Sequence, residues 1–267
     1  MTTSIRTHRK LILIAVLAVS AALISPSLSA ADPDYSAWQT LLTKYYDPAR
    51  GMDYRALKAN DAATLNALRQ RMAAVNVASL SRPEQLAFWI NLYNISVVGV
   101  IVDNYPTASI RDISTDPIIR LNVFKKPYVP FGSGKMSLND VENDKVRAGF
   151  KDARIHFAIN CAAASCPPIR PEPYTGAKLN AQLEDQTKKF INGPKGVRLE
   201  QKGSNLTIHT TKIMDWFGDD FDDWGGGKVA FIRKYASPDK QQKIDAAGGK
   251  AKISYDDYSW ALNDWKR

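Results

Sequence analysis

The sequence has few of the side chains that most often perform covalent chemistry. Its 267 residues include two cysteines, Cys161 and Cys166, and three histidines. Two cysteines form at most one intramolecular disulfide, which excludes a disulfide-rich scaffold. No cysteine lies directly after the N-terminal apolar run, which excludes a lipoprotein. Any thiol or imidazole chemistry must therefore depend on very few residues.

The charged residues show no pattern that indicates a nucleic acid or a metal. Lys and Arg are scattered along the chain, and no nucleic-acid-binding module is present. The acidic run at 217–227 lacks the spacing of a calcium loop and is interpreted as a solvated helix end. The fragment "GSGK" at 132–135 lacks the upstream glycine of a phosphate loop and indicates a turn. The sequence therefore predicts no nucleic-acid partner, no metal site and no cofactor.

Residues 1–31 have the organisation of a secretory signal peptide. A basic head precedes an apolar run that is short for a membrane span of about 20 residues. Small residues follow, and cleavage after Ala31 fits their pattern. We therefore expect a periplasmic or secreted protein, with no stable membrane insertion once the signal is removed. Its oligomeric state does not follow from the sequence.

The remaining chain, 32–267, is expected to form one α+β domain. No repeat, low-complexity tract or long linker divides it. Helical spacing predicts an entry pair of helices within 35–46 and 62–75. The segment from Arg82 to Pro106 is apolar on nearly every face, which predicts a buried central helix. Helices and strands are mixed without β-α-β alternation, so we expect this helix to pack on a small mixed or antiparallel sheet.

Further elements follow from turn residues and short apolar patterns. They comprise two hairpins turning at 132–134 and 203–205, a strand at 155–160, a helix at 175–191 with Thr175 as its N-cap, and a final strand within 252–264. In a straight strand, side chains alternate between the two faces. His156 and Cys161 would then point to opposite sides and would not pair within that strand.

Two asparagines, Asn91 and Asn94, interrupt the central helix. A buried amide requires hydrogen-bond partners. The two side chains are therefore expected to be buried and either to bond to the backbone of another segment or to line a cleft.

Five segments of the chain resemble the DUF547 family, and they occur in the order found there. They are "LAFWINLYN" (86–94), "SLNDVEN" (137–143), "RIHFAINCAAASCPPIRPEPYT" (154–175), "DWFGDDF" (215–221) and "YDDYSWALN" (255–263). The combination of "AFWINLYN" with "HFAINC…SCPP" is specific, and the similarity spans most of residues 32–267. The resemblance implies a domain whose biochemical role is largely unassigned and which is found in exported bacterial proteins and in larger eukaryotic ones. It also suggests a distant kinship with papain-like thiol hydrolases.

The resemblance bears on the candidate site residues. The family motif aligned with "DVEN" usually reads Ile-Glu-His, so Asn143 stands where the family has histidine, and Glu142 is kept. His156 would then have to serve as the base. Some relatives carry serine in place of Cys166, which makes Cys161 the better candidate for a nucleophile.

Three states of the cysteines are compatible with the sequence. A thiol nucleophile needs a base or a positive dipole, because cysteine is mostly protonated at neutral pH. A disulfide between Cys161 and Cys166 would close a short loop in an oxidising compartment. Two inert buried thiols are the third state.

Two functions follow from these states. The first is a thiol-dependent amide or peptide hydrolase or acyl transferase of the cell envelope, with Cys161 as nucleophile, His156 as base, and Glu142 or Asn91 orienting. The second is a non-catalytic domain that binds a peptide or another envelope ligand in a cleft beside "AFWINLYN", with the Cys161–Cys166 disulfide as a staple. The redox state of the cysteines distinguishes them.

Overall fold

The computed structural model describes Met1 and residues 33–113, 122–224 and 226–265. The predicted signal peptide at 1–31 lies, apart from Met1, outside the described residues. The α-helices of the described chain are α1 (Ser36–Tyr45), α2 (Tyr54–Ala73), α3 (Arg82–Asn104), α4 (Ala148–Phe150), α5 (Leu179–Asn192), α6 (Ile213–Trp216), α7 (Gly218–Asp223), α8 (Gly227–Tyr235) and α9 (Pro238–Ala246). The strands are β1 (Tyr46–Asp47), β2 (Gly51–Met52), β3 (Pro127–Phe131), β4 (Gly134–Ser137), β5 (Arg198–Lys202), β6 (Asn205–Thr210) and β7 (Lys252–Tyr255).

The central helix of the fold is α3, and residues 86–102 of it are all buried. Its first turn carries a capping box, in which the Ser81 backbone N–H donates to Glu84 Oε2 at 2.7 Å. By length and composition α3 is able to cross a membrane, but its apolar stretch is buried inside the protein. The α+β class and the buried central helix are confirmed.

The strands form small sheets rather than one large one. Strands β3 and β4 form an antiparallel hairpin that contacts α3. Strand β6 pairs antiparallel with β5 and parallel with β7, giving a three-stranded mixed sheet. Both predicted hairpins are present. The final strand is shorter than predicted, because only Lys252–Tyr255 joins the sheet.

Two apolar clusters form the core, and the segment 153–163 contributes to both. The first consists of side chains from α1, α2, α3 and the β3–β4 hairpin, among others, and α3 lies at its centre. The second lies between the mixed sheet, α5 and α8. Ile155 belongs to the first cluster and Phe157 to the second. The segment is therefore enclosed on both sides.

The predicted strand at 155–160 is wrong. Residues Ala153–Phe157 form a 3-10 helix, and the Asp152 carboxylate accepts the backbone N–H of Arg154 at its start. A short apolar run cannot be distinguished from a buried helical turn by periodicity. Here the run is buried on every side, so alternation between two faces does not apply.

Two predicted helices extend or begin differently in the structure. Helix α2 begins at Tyr54, where the Asp53 carboxylate accepts the Ala56 N–H, and it has a kink at Asp61, directly before the segment predicted to be helical. The helix predicted from 175 begins as a 3-10 turn, and the Thr175 side chain does not cap it. Instead the Thr175 N–H donates to Gln182 Oε1 at 3.1 Å.

Candidate functional site

Cys161 and Cys166 are joined in a disulfide, and neither cysteine is free. The Cys161 N–H lies 2.9 Å from Cys166 Sγ. The Tyr258 hydroxyl donates to Cys166 Sγ at 3.0 Å and lies 3.1 Å from Cys161 Sγ. Cys166 is buried, whereas Cys161 is partly exposed. Of the three states open to the sequence, the structure therefore has the disulfide.

Buried amides fix both ends of the disulfide loop. The Asn94 side chain donates to the Ala158 carbonyl at 3.0 Å and accepts the Asn160 N–H at 2.9 Å. The Asn160 side chain in turn donates to the Pro167 carbonyl at 2.6 Å, on the far side of the loop. Through the buried side chain of Asn94, helix α3 thus sets the position of the cysteines. Burial of Asn94 was expected from the sequence.

The C-terminal segment runs alongside the same loop. The Ala164 N–H donates to the Ala261 carbonyl at 2.7 Å, and the Asn263 N–H donates to the Ala162 carbonyl at 2.9 Å. These backbone bonds hold Tyr258 against the disulfide, although the two are more than 90 residues apart in sequence.

A cavity of about 190 Å³ lies beside the disulfide. Its walls come from α3, the helical turns around 140 and 156, the loop of the cysteines, the region of α6 and α7, and the C-terminal segment. The side chains that determine its chemistry are Tyr93, Glu142, His156, Cys161, Cys166, Trp216, Phe217, Tyr258 and Trp260. As far as the described residues show, the cavity is therefore largely aromatic, with one carboxylate.

Three aromatic rings pack on one another at this cavity. The centroid of Tyr258 lies 4.8 Å from that of Trp216 and 5.0 Å from that of Trp260. Trp216 is 47% exposed, and Met1 is the only other large apolar side chain among the described residues that is exposed. An exposed aromatic ring beside an apolar cavity indicates a binding surface.

Glu142 supplies the carboxylate of the cavity. It lies in the π-helical segment Asp140–Arg147, and π-helical turns occur frequently at functional sites. The Tyr93 hydroxyl donates to Glu142 Oε2 at 3.1 Å. Burial raises the pKa of Glu142 to about 7, against the smaller opposing effects of Tyr93 and Arg147. Near neutral pH this carboxyl group is therefore divided between its two protonation states.

His156 borders the cavity and is held by Asp220. Its Nε2 lies 2.6 Å from Asp220 Oδ2, and its ring stacks on Phe217 with centroids 4.2 Å apart. Burial lowers the pKa of His156 more than Asp220 raises it. The neutral imidazole then donates its Nε2 hydrogen to the carboxylate.

Asp220 accepts hydrogen bonds from Arg147 as well as from His156. Arg147 donates from Nε to Asp220 Oδ2 at 2.7 Å and from Nη2 to Oδ1 at 3.1 Å. Burial opposes ionisation of Asp220, but these partners hold its pKa below the ordinary value. Asn143, at the position where the resemblance implies histidine, accepts Arg147 Nη1 at 2.7 Å. The interpretation of 217–227 as a solvated helix end is therefore wrong for Asp220.

The structure brings four of the five predicted site residues to one cavity: Cys161, Cys166, His156 and Glu142. Asn91 does not line it. Its amide donates to the Tyr174 carbonyl at 2.7 Å and accepts the Tyr174 N–H at 3.0 Å, within the buried core. The predicted burial and backbone bonding of Asn91 are confirmed, and these bonds hold the segment after the prolines to α3.

Sequence reasoning missed the far wall of the cavity. Trp216, Tyr258 and Trp260 lie in two of the quoted motifs, "DWFGDDF" and "YDDYSWALN", so their concentration of aromatic residues was the available signal. Arg147 and Asp220 gave no signal, because their pairing spans 73 residues. Among the described residues, no group of three or more His, Cys, Asp or Glu side chains is placed to hold a metal ion.

Comparison with known proteins identifies the central part of the chain. Residues 77–191 match the family model described as "Protein of unknown function, DUF547". This match includes α3, Glu142, His156 and both cysteines, and it ends before Trp216. No curated protein and no solved structure matches the chain.

Proposed function

Because the chain belongs to the DUF547 family, whose description assigns no activity, we propose a function from the cavity: the protein is an exported binding domain. It takes a small apolar part of a peptide or another envelope ligand into the cavity, and the Cys161–Cys166 disulfide forms a fixed wall. The signal-like pattern of residues 1–31 supports export, and a disulfide is stable in an oxidising compartment.

The observation that carries this proposal is the aromatic cavity built against a closed disulfide. A disulfide sulfur is not a thiolate, so the oxidised protein lacks the nucleophile that a thiol hydrolase needs. Apolar walls with one or two polar groups are typical of small ligand sites. The exposed ring of Trp216 adds apolar surface at the same place.

Indole resonances provide the test. The Nε1–H signals of Trp216 and Trp260 would be followed by NMR while a panel of short peptides and small fragments is added to oxidised protein. We expect shifts at both indoles, and loss of binding in Trp216→Ala. Trp265→Ala removes an indole that does not line the cavity and serves as the control. A panel that shifts neither cavity indole contradicts the proposal.

A second candidate function is the thiol-dependent hydrolase or acyl transferase, restricted to the reduced protein. It is favoured by the hydrogen bond from His156 to Asp220, since an oriented neutral imidazole that lines the same cavity as Cys161 has the composition of a nucleophile and base pair. Hydrolysis of a thiophenyl ester or an anilide would be measured before and after reduction. Turnover that requires reduction and disappears in Cys161→Ser supports this function, and turnover unaffected by reduction contradicts it.

A further inference from the structure

We propose that the cavity binds an alkylated ammonium cation, with Glu142 as its counter-charge and the rings of Trp216, Tyr258 and Trp260 as its wall. This ligand class presupposes the binding function proposed above and specifies its chemistry.

Among the described residues, no cation pairs with the Glu142 carboxylate. No lysine or arginine of the described chain lines the cavity, and no ion pair between described residues involves Glu142. Its hydrogen bond from Tyr93 is with a neutral hydroxyl. A partly buried carboxylate without a counter-charge is costly, so a cation that enters the cavity supplies a missing interaction.

The charged groups near Glu142 do not take the place of that cation. Arg147, on the same helical segment, favours the ionised carboxylate, but its guanidinium is bonded through two nitrogens to Asp220. Asp220 disfavours ionisation of Glu142. Tyr93 and Tyr258 face it as neutral phenols, and the neutral His156 lines the same cavity. The pKa of Glu142, about 7, reflects this balance, and a bound cation lowers it.

The aromatic wall provides the second attraction. The faces of Trp and Tyr rings attract cations, most strongly where water is excluded. The Arg111 guanidinium already lies 5.1 Å from the centroid of Trp260. Arg111 is exposed, so water screens its repulsion of a second cation. The rings of Trp216 and Tyr258 lie within 5 Å of each other and extend this surface to solvent.

The shape and polarity of the cavity favour an alkylated ammonium over other cations. A guanidinium presents five N–H donors, but most of the described residues that line the cavity are apolar or aromatic. Methyl groups on nitrogen need no acceptor and bury apolar surface against the rings. A volume of about 190 Å³ fits a head group rather than a whole drug-sized ligand.

Choline and its neutral carbon analogue, 3,3-dimethyl-1-butanol, have similar shapes but differ in charge. A comparison of their affinities therefore measures the contribution of the positive charge. Titrations would follow the indole signals of Trp216 and Trp260 at about pH 8, where Glu142 is ionised. We expect choline to bind on the order of 10-fold or more tightly than the alcohol. Glu142→Gln should reduce this preference to the part that the aromatic rings alone provide. Asp144→Asn removes one charge from an exposed position on the same helical segment and should retain it.

Lowering the pH to about 5.5 should weaken choline binding to the wild type and leave Glu142→Gln unchanged, since the protonated carboxyl group no longer attracts a cation. A parallel titration with N-acetyl-trimethyllysine amide distinguishes a peptide source from a free small molecule, and a preference for either cation supports the proposal. Thermal melts establish that each variant is folded.

Equal binding of choline and the alcohol, or no binding of either ammonium compound, overturns the proposal. In the first case the cavity still binds ligands, and the binding function stands. In the second case the peptide and fragment panel decides separately whether the binding function fails as well.

Discussion

The Tyr258 hydroxyl lies 3.0 Å from Cys166 Sγ and links the C-terminal segment to the disulfide. The same segment contributes Trp260 to the cavity. The disulfide, the aromatic wall and Glu142 therefore belong to one structural unit. Different substitutions should therefore change the stability of this unit and its ligand binding separately.

Replacing both cysteines with serine should destabilise the protein. By the chain-entropy model, a loop closed by cysteines five positions apart contributes about 2 kcal/mol to the free energy of unfolding. Urea unfolding of oxidised wild type and of the double variant measures the difference. Reductant should destabilise the wild type by a similar amount and leave the double variant unchanged. A double variant as stable as the oxidised wild type contradicts the role of the disulfide as a staple.

Asn91→Leu should lower stability without changing the cavity. Its removal leaves the buried N–H and carbonyl of Tyr174 without their partner, at a cost of roughly 3 kcal/mol. Asn60→Leu, at an exposed position of α2, is the matched control and should cost less than about 0.5 kcal/mol. Once the remaining folded fraction is taken into account, ligand binding should be retained. A folded Asn91→Leu protein that loses binding would instead assign Asn91 to the site.

Glu142 should make stability depend on pH. Its folded-state pKa of about 7 exceeds its ordinary value of 4.5, so the folded state holds the proton more tightly than the unfolded state. The free energy of unfolding should therefore fall as pH rises from about 4.5 to about 7, by up to about 3 kcal/mol relative to Glu142→Gln.

Denaturant titrations across this window, on wild type and Glu142→Gln, isolate the contribution of Glu142. His156 contributes in the opposite direction, because its lowered folded-state pKa makes stability rise as pH increases towards its ordinary value. That contribution is present in both proteins and cancels in their difference. Parallel pH profiles for the two proteins would mean that Glu142 is not perturbed.

The sequence predicted the parts of the fold that depend on local signals. Helix α3 followed from its continuous apolar character, and the two hairpins from their glycine turns. The burial of Asn91 and Asn94 followed from the same helix, because an amide on an enclosed helix has no access to water. The strand at 155–160 failed because the segment lies between two apolar clusters, and enclosure on both sides has no periodic signature.

The sequence predicted only some of the residues that line the cavity. Cys161, Cys166 and His156 stood out because cysteine and histidine are rare in this chain, and Glu142 stood out through the family motif that it shares. Trp216, Tyr258 and Trp260 join them through backbone pairing between distant segments, as in the bond from the Ala164 N–H to the Ala261 carbonyl. Neither composition nor spacing encodes such a contact.

The thiol content of native protein tests the central claim most directly, namely that a closed disulfide forms one wall of a binding cavity. Protein purified in its native state without reductant would be titrated with a thiol reagent before and after reduction. We predict no free thiol before reduction and two afterwards, matching Cys161 and Cys166. A single highly reactive thiol in the unreduced protein, lost in Cys161→Ser, would contradict the claim and favour the thiol hydrolase.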